Sequence, residues 1–181
     1  MSFLDNHQES PTDPPRTWPS RYNAMLEALD NVTTVVQVVT AVSSSVDATT
    51  SGSFVATSLS ASITPQHSDS LLIATVSGHG IARRVSGDPA ARSGSARLYN
   101  VTDDGALQGA EDIRVGRALV ASSEEPASSY APLNLKGRYA VDSLSQRTIR
   151  LEIRSQASGS VEMQAGWSGQ NMLMTIMEVR P

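Results

Sequence analysis

The sequence has no cysteine, and that absence excludes a disulfide framework, a thiolate metal site and a cysteine nucleophile together. Lysine is almost missing as well: Lys136 stands alone, and the other 13 cationic side chains are arginine. Aromatic residues make up only 4% of the chain. No run comes near the roughly 18 apolar residues of a membrane span. The opening MSFLDNHQES has neither the basic nor the apolar stretch of a secretory leader. No sign of charge is in large excess either. A net charge of −4 argues against nucleic acid, whose phosphates need clustered cations. Even the most arginine-dense stretch, Ile81–Arg117, sets five carboxylates against six arginines. These absences imply a soluble, mildly acidic protein with no membrane or nucleic-acid partner. A length of 181 residues fits one domain with a tail. A core of about 150 residues buries enough surface to need no covalent staple.

What is present is hydroxyl-rich and alternating. There are 27 serines and 13 threonines, spread without low-complexity repeats. Residues 1–31 read as an arm. Pro11, Pro14, Pro15 and Pro19 remove amide donors and favour extended backbone. After them, Tyr22, Met25, Leu26 and Leu29 fall on one helical face, with Ser20 placed to cap and Asp30-Asn31 to end the pattern. So short a helix must dock on something. The arm, with Trp18, Tyr22, Met25, Leu26 and Leu29 as its apolar set, is therefore expected to attach the protein to a partner or to fold back on the domain.

Residues 32–181 read as β. In Arg147–Gln156, Ile149, Leu151 and Ile153 alternate with Thr148, Arg150, Glu152 and Arg154; Leu133–Val141 alternates likewise. Further strands are predicted at Val35–Val39, Phe54–Thr57, Leu59–Thr64, Leu71–Ser77, Ala96–Val101, Ile113–Val120, Val161–Ala165 and Met172–Val179. Turns are expected at Thr50–Gly52, Thr64-Pro65, Gly78–Gly80, Asp103–Gly105, Ser158-Gly159 and Ser168-Gly169. Many short strands without crossover helices predict an antiparallel β-sandwich or jelly roll. The last strand is apolar on both faces: Met172, Met174 and Ile176 on one, Leu173, Met177 and Val179 on the other. Antiparallel sandwiches usually wet their outer face. Either this is a central strand under a loop, or Leu173, Met174, Ile176 and Met177 contribute to a homo-oligomer interface.

No catalytic set emerges. His7, His67 and His79 each lack a second histidine or a carboxylate at ligand spacing. Gly166-Trp167-Ser168-Gly169-Gln170 imitates a nucleophile elbow but has glutamine where the second glycine belongs. Asp103-Asp104 and Glu124-Glu125 are adjacent pairs that point apart, unlike the facing carboxylates of glycoside hydrolysis. No enzyme activity, cofactor or metal is expected. One binding possibility remains: Trp167, in its glycine-flanked turn, can stack on a sugar ring, with Tyr99, Tyr130 or Tyr139 assisting. Packing is the ordinary alternative for a tryptophan.

The stretch Thr50–Gly80, TSGSFVATSLSASITPQHSDSLLIATVSGHG, resembles a recurrent domain of bacteriophage structural proteins, found in tail fibres and head or tail appendages. The pieces are Thr57, Leu59, Ala61 and Ile63-Thr64-Pro65, the serine-rich turn Ser68–Ser70, and the apolar strand Leu71–Ser77. Met172–Val179 matches the closing strand, and Trp18–Met25 resembles an attachment segment. The segment Ala82–Arg117 matches nothing in that pattern, and Asp69-Ser70 replaces its usual basic residue. The resemblance implies a non-enzymatic β-sandwich on the virion surface, assembled as a homotrimer. Capsid decoration, head fibre and tail-fibre adhesion are the roles it offers. The alternative is a carbohydrate-binding module.

Overall fold

A computed structural model describes residues 34–85, 92–118, 128–156 and 161–180. The expected arm and helix, with Trp18, Tyr22, Met25, Leu26 and Leu29, lie outside the described residues, as do Glu124-Glu125 and Ser158-Gly159. Among the described residues every regular element is a strand: β1 (Thr34–Ser43), β2 (Asp47–Thr49), β3 (Val55–Ile63), β4 (Leu71–Arg84), β5 (Arg92–Asn100), β6 (Gly105–Ala106), β7 (Ile113–Ala118), β8 (Ser128–Ala140), β9 (Arg147–Ser155), β10 (Val161–Ala165) and β11 (Met172–Arg180). They form two antiparallel sheets. In the first, the order is β1-β11-β4-β10-β2, with β8 also on β4; in the second it is β3-β9-β5-β6, with β7 also on β5.

The first sheet is simpler than that order implies. Strand β8 runs along one edge of β4 from Leu71↔Ala140 to Arg83↔Ser128. On the other edge, β11 covers Leu71–Ser77 and β10 covers Gly80–Arg84. Strands β10 and β11 therefore behave as one long strand interrupted by residues 166–171, and β1 and β2 flank them in the same way. Counted so, the first sheet has four strands, as has the second when β6 and β7, both on β5, are taken as one, and every connection but β5–β6 then crosses between sheets. That is the wrapping of a jelly roll. The inward faces supply the core, with Leu59, Leu72, Leu98, Leu133, Leu151 and Met163 among its fully buried members. Each such side chain contributes roughly 1.5–3 kcal/mol by leaving water.

Three expectations need correction. The Gly78-His79-Gly80 segment is not a turn but the interior of β4. Its glycines mark close approach, not reversal: a Cβ on Gly80 would sit 2.5 Å from Val115 Cγ1 of the facing sheet. The two strands expected on either side of Ser58 are one strand, β3, with a register shift between Ala56 and Ser60 where Asp47 binds Ser58. Finally, Met174 and Ile176 are fully buried in the core between the sheets. They cannot serve a subunit interface; of the expected set, only Leu173 and Met177 face outward.

The topology gives the sandwich two unlike ends. At one, the connections 64–70, 101–104 and 141–146 gather, β1 begins beside Glu178 and β11 ends. At the other lie 50–54 and the ends of β4, β7 and β9.

Candidate functional site

The two outer faces differ in chemistry. On the β3-β9-β5 sheet, the alternation of Arg150, Glu152 and Arg154 places charges outward as expected, yet Glu152 is buried beneath them. Arg97 donates to its carboxylate at 2.7 Å, and Arg150 does so from the other side at 2.7 Å. The Arg97 guanidinium also lies between the Phe54 and Tyr99 rings, at 4.2 and 4.3 Å, while Arg154 covers Phe54 at 4.7 Å and pairs with Asp112. Charge and aromatic surface satisfy each other here, leaving little for a partner.

The outer face of the β1-β11-β4-β8 sheet has no such lattice. Its cross-strand rungs read Met177–Ile73–Arg138, Thr175–Thr75–Lys136 and Leu173–Ser77–Asn134. Val38 and Val42 on β1 extend the apolar surface, and Leu173 is 40% exposed. The cations Lys136 and Arg138 stand along β8, at the opposite side from β1.

Midway along this face the chain leaves the sheet. After Ala165 it turns out at Gly166, carries Trp167 away from the ladder, and rejoins β4 at Leu173. Three features fix this excursion. Gly166 N–H donates to the His79 carbonyl at 2.9 Å, Gln170 N–H donates to the Trp167 carbonyl at 3.0 Å, and Gly166 and Gly169 take φ of +90° and +82°. Ser168-Gly169 is thus a turn, as expected, but it returns the chain to the same β4 edge in the same direction. Trp167 is 38% exposed and lies 4.9 Å from Tyr130, with the ring planes tilted by 54°. Of the three tyrosines expected to assist, only Tyr130 meets Trp167. Tyr99 belongs to the arginine lattice, and Tyr139 lies near Arg147.

Gly166 also tests the excursion. A Cβ there would lie 2.4 Å from the Ser45 carbonyl oxygen, a backbone atom that cannot swing aside. With the left-handed φ added, Gly166→Ala should lower the melting temperature by about 4–8 °C. Measured in a Trp18→Phe background, Trp167 emission should shift to longer wavelength as the ring leaves Tyr130. An unchanged spectrum would mean that the excursion is not held in this way.

Two polar clusters brace the end where β1 begins. Glu178 is fully buried and accepts hydrogen bonds from Ser70 Oγ at 2.7 Å, Gln37 Nε2 at 2.6 Å and the Gln66 and His67 amides at 3.0 Å. Burial pushes its carboxyl up, but the bonds from Ser70, Gln37 and the two amides outweigh burial and hold the pKa at about 2. Arg147, also buried, donates to Asp142 at 2.6 Å and to Ser143 at 2.8 Å; its Nε lies 3.0 Å from Asp103 without hydrogen-bond geometry. Asp103 also accepts from Asn100, while Asp104 binds Tyr99. The adjacent aspartates therefore serve different partners. His67 contributes its backbone amide to the Glu178 cage, and His79 stands exposed on the outer face of β4. Among the described residues no three His, Asp or Glu side chains converge on a metal position.

Neither polar cluster was anticipated, although both leave a trace in the alternation. Glu178 follows Met172, Met174 and Ile176 on the inward register, and Arg147 precedes Ile149, Leu151 and Ile153 on theirs. No protein-family model matches the chain, and no curated protein matches it significantly.

Proposed function

We propose that this is a non-enzymatic phage virion protein, displayed on the particle as a capsid decoration, head-fibre or tail-fibre module and attached through residues 1–31. The observation that carries the reading is the asymmetry of the sandwich. Strand β1 begins at the end braced by Glu178 and Arg147. Strands β4, β7 and β9 end at the other. A jelly roll is an architecture of capsid and lectin domains alike, so the fold alone is only analogy. The resemblance at Thr57–Ser77 weighs on the structural side.

Assembly as a homo-oligomer, a trimer by the resemblance, uses the outer face around Leu173 and Met177. The opposite sheet's face is closed by its own ion pairs, whereas this one presents aliphatic side chains that a second copy would cover. A carbohydrate-binding module is the second reading, favoured by the exposure of Trp167.

Attachment is tested by deleting residues 1–31. The arm holds no more than a small apolar set, so the remaining sandwich should melt within about 3 °C of the full chain while failing to incorporate into particles. Normal incorporation of the truncated protein would show that the anchor lies elsewhere.

A further inference from the structure

We infer that Trp167 and Tyr130 form a shelf that binds the apolar face of a neutral pyranose ring within an oligosaccharide. The inference goes beyond the assembly reading and does not depend on it.

The exposure of Trp167 is built, not incidental. A tryptophan in a small sandwich normally packs inward. Here the chain breaks the ladder between β10 and β11, spends two left-handed glycines, and pins the loop to the His79 carbonyl, with the result that an indole stands on the outer face. Beside it Tyr130 is 60% exposed. The 54° tilt between the rings makes an open V, so each ring keeps a face free instead of stacking the other away. Directly opposite Tyr130, Ile81 also faces outward yet is only 5% exposed, so the floor of the V is apolar and covered. Sugars offer the matching shape: C–H groups on one ring face to lie on an aromatic plane, hydroxyls around the rim.

The rim supplies hydrogen-bonding groups. Gln164 shares the rung with Ile81 and Tyr130, about 10 Å from Tyr130 by strand spacing. On the next outward rung, Arg83 and Glu162 form an ion pair at 2.8 Å, with Arg83 about half exposed. In the other direction stands His79, opposite Pro132. One carboxylate balances one guanidinium, so the rim does not favour an anionic ligand. The His79–Pro132 rung separates the shelf from the aliphatic surface near Leu173 and Met177. Covering the Arg83–Glu162 ion pair, and the Gln164 amide that donates to the same carboxylate, with dry protein is costly, whereas hydroxyls keep them bonded. The ligand class is therefore a neutral oligosaccharide.

The test uses the full chain carrying Trp18→Phe, which leaves Trp167 as the only reporter. It is titrated with maltotriose, cellotriose and tri-N-acetylchitotriose, and with a sialylated trisaccharide as the charged control. At least one neutral trisaccharide should give a saturable blue shift of emission, and Tyr130→Ala should weaken that binding about tenfold or more. Trp167→Ala, followed by calorimetry, should abolish it. Leu173→Asp should leave it unchanged, which separates this inference from the assembly reading. No saturable change with any neutral sugar up to about 10 mM would overturn the inference. So would a preference for the sialylated sugar, or binding that survives both aromatic substitutions.

Discussion

Replacing Glu178 by Gln should lower the melting temperature by about 10 °C at neutral pH. The wild-type carboxylate sits among donors only: one hydroxyl, one side-chain amide and two backbone N–H groups. A glutamine keeps one acceptor oxygen but turns an NH2 toward groups that also donate. At least one buried donor is then unpaired, and the connection 64–70 loses its hold on β11, as does β1. Such a loss is on the order of 2–4 kcal/mol, and about 1 kcal/mol moves the midpoint of a domain this size by roughly 2–4 °C. The pH dependence gives a second readout. A carboxyl whose pKa falls from 4.5 unfolded to about 2 folded adds stability that is fully present above the unfolded value. That stability drains away as pH drops through this interval. Wild type should therefore lose its advantage over Glu178→Gln between about pH 5 and pH 2. Melting curves of both proteins across that range check it. Curves that stay parallel would mean that the ionised carboxylate is not what braces this end.

The same residue shows how much of the fold was legible and where reading stopped. Alternation along Arg147–Gln156 and Leu133–Val141 located their strands because one face is buried and the other wet, and period two records that difference directly. The Gly78–Gly80 segment misled because glycine looks alike whether it permits a turn or a close approach, and only the facing Val115 distinguishes the two. Met174 and Leu173 could not be assigned to faces from sequence, since a strand apolar on both sides does not say which side is core. The aromatic site was half readable. Trp167 stood out by its glycine-flanked turn, but Tyr130 lies 37 positions away on β8 and joins it only through the register of β4 with β8 and β10. Glu178 and Arg147 break the inward alternation with charge, the one local sign that a polar cage was needed there.

Changing Leu173 to Asp should dissociate the protein into folded monomers. In an isolated protomer, Leu173 is 40% exposed on a rung with Ser77 and Asn134, so a carboxylate there keeps its water and alters stability by about 0.5 kcal/mol at most. In an assembly joined by this face, each copy would bury that charge without a cation within its own rung. The nearest cations, Lys136 and Arg138, stand on β8, beyond β4. Burying an unpaired charge costs on the order of 3–5 kcal/mol, enough to weaken association by about a hundredfold or more. Met177→Asp should behave similarly, although Arg138 shares its rung and softens the effect. The control is Ser60→Asp, on an exposed position of β3 beside Arg150, which should leave assembly intact because that sheet's face is already closed by its own ion pairs. Light scattering at about 10 μM, with circular dichroism to confirm the fold, reads all three. A wild-type monomer at that concentration would overturn the assembly reading, and a Leu173→Asp protein that still assembles would place the contact elsewhere. The valine-rich strand β1, at one end of its sheet's order among the described residues and uncharged along its ten residues, would then be the next surface to examine, since an edge strand is a template for pairing.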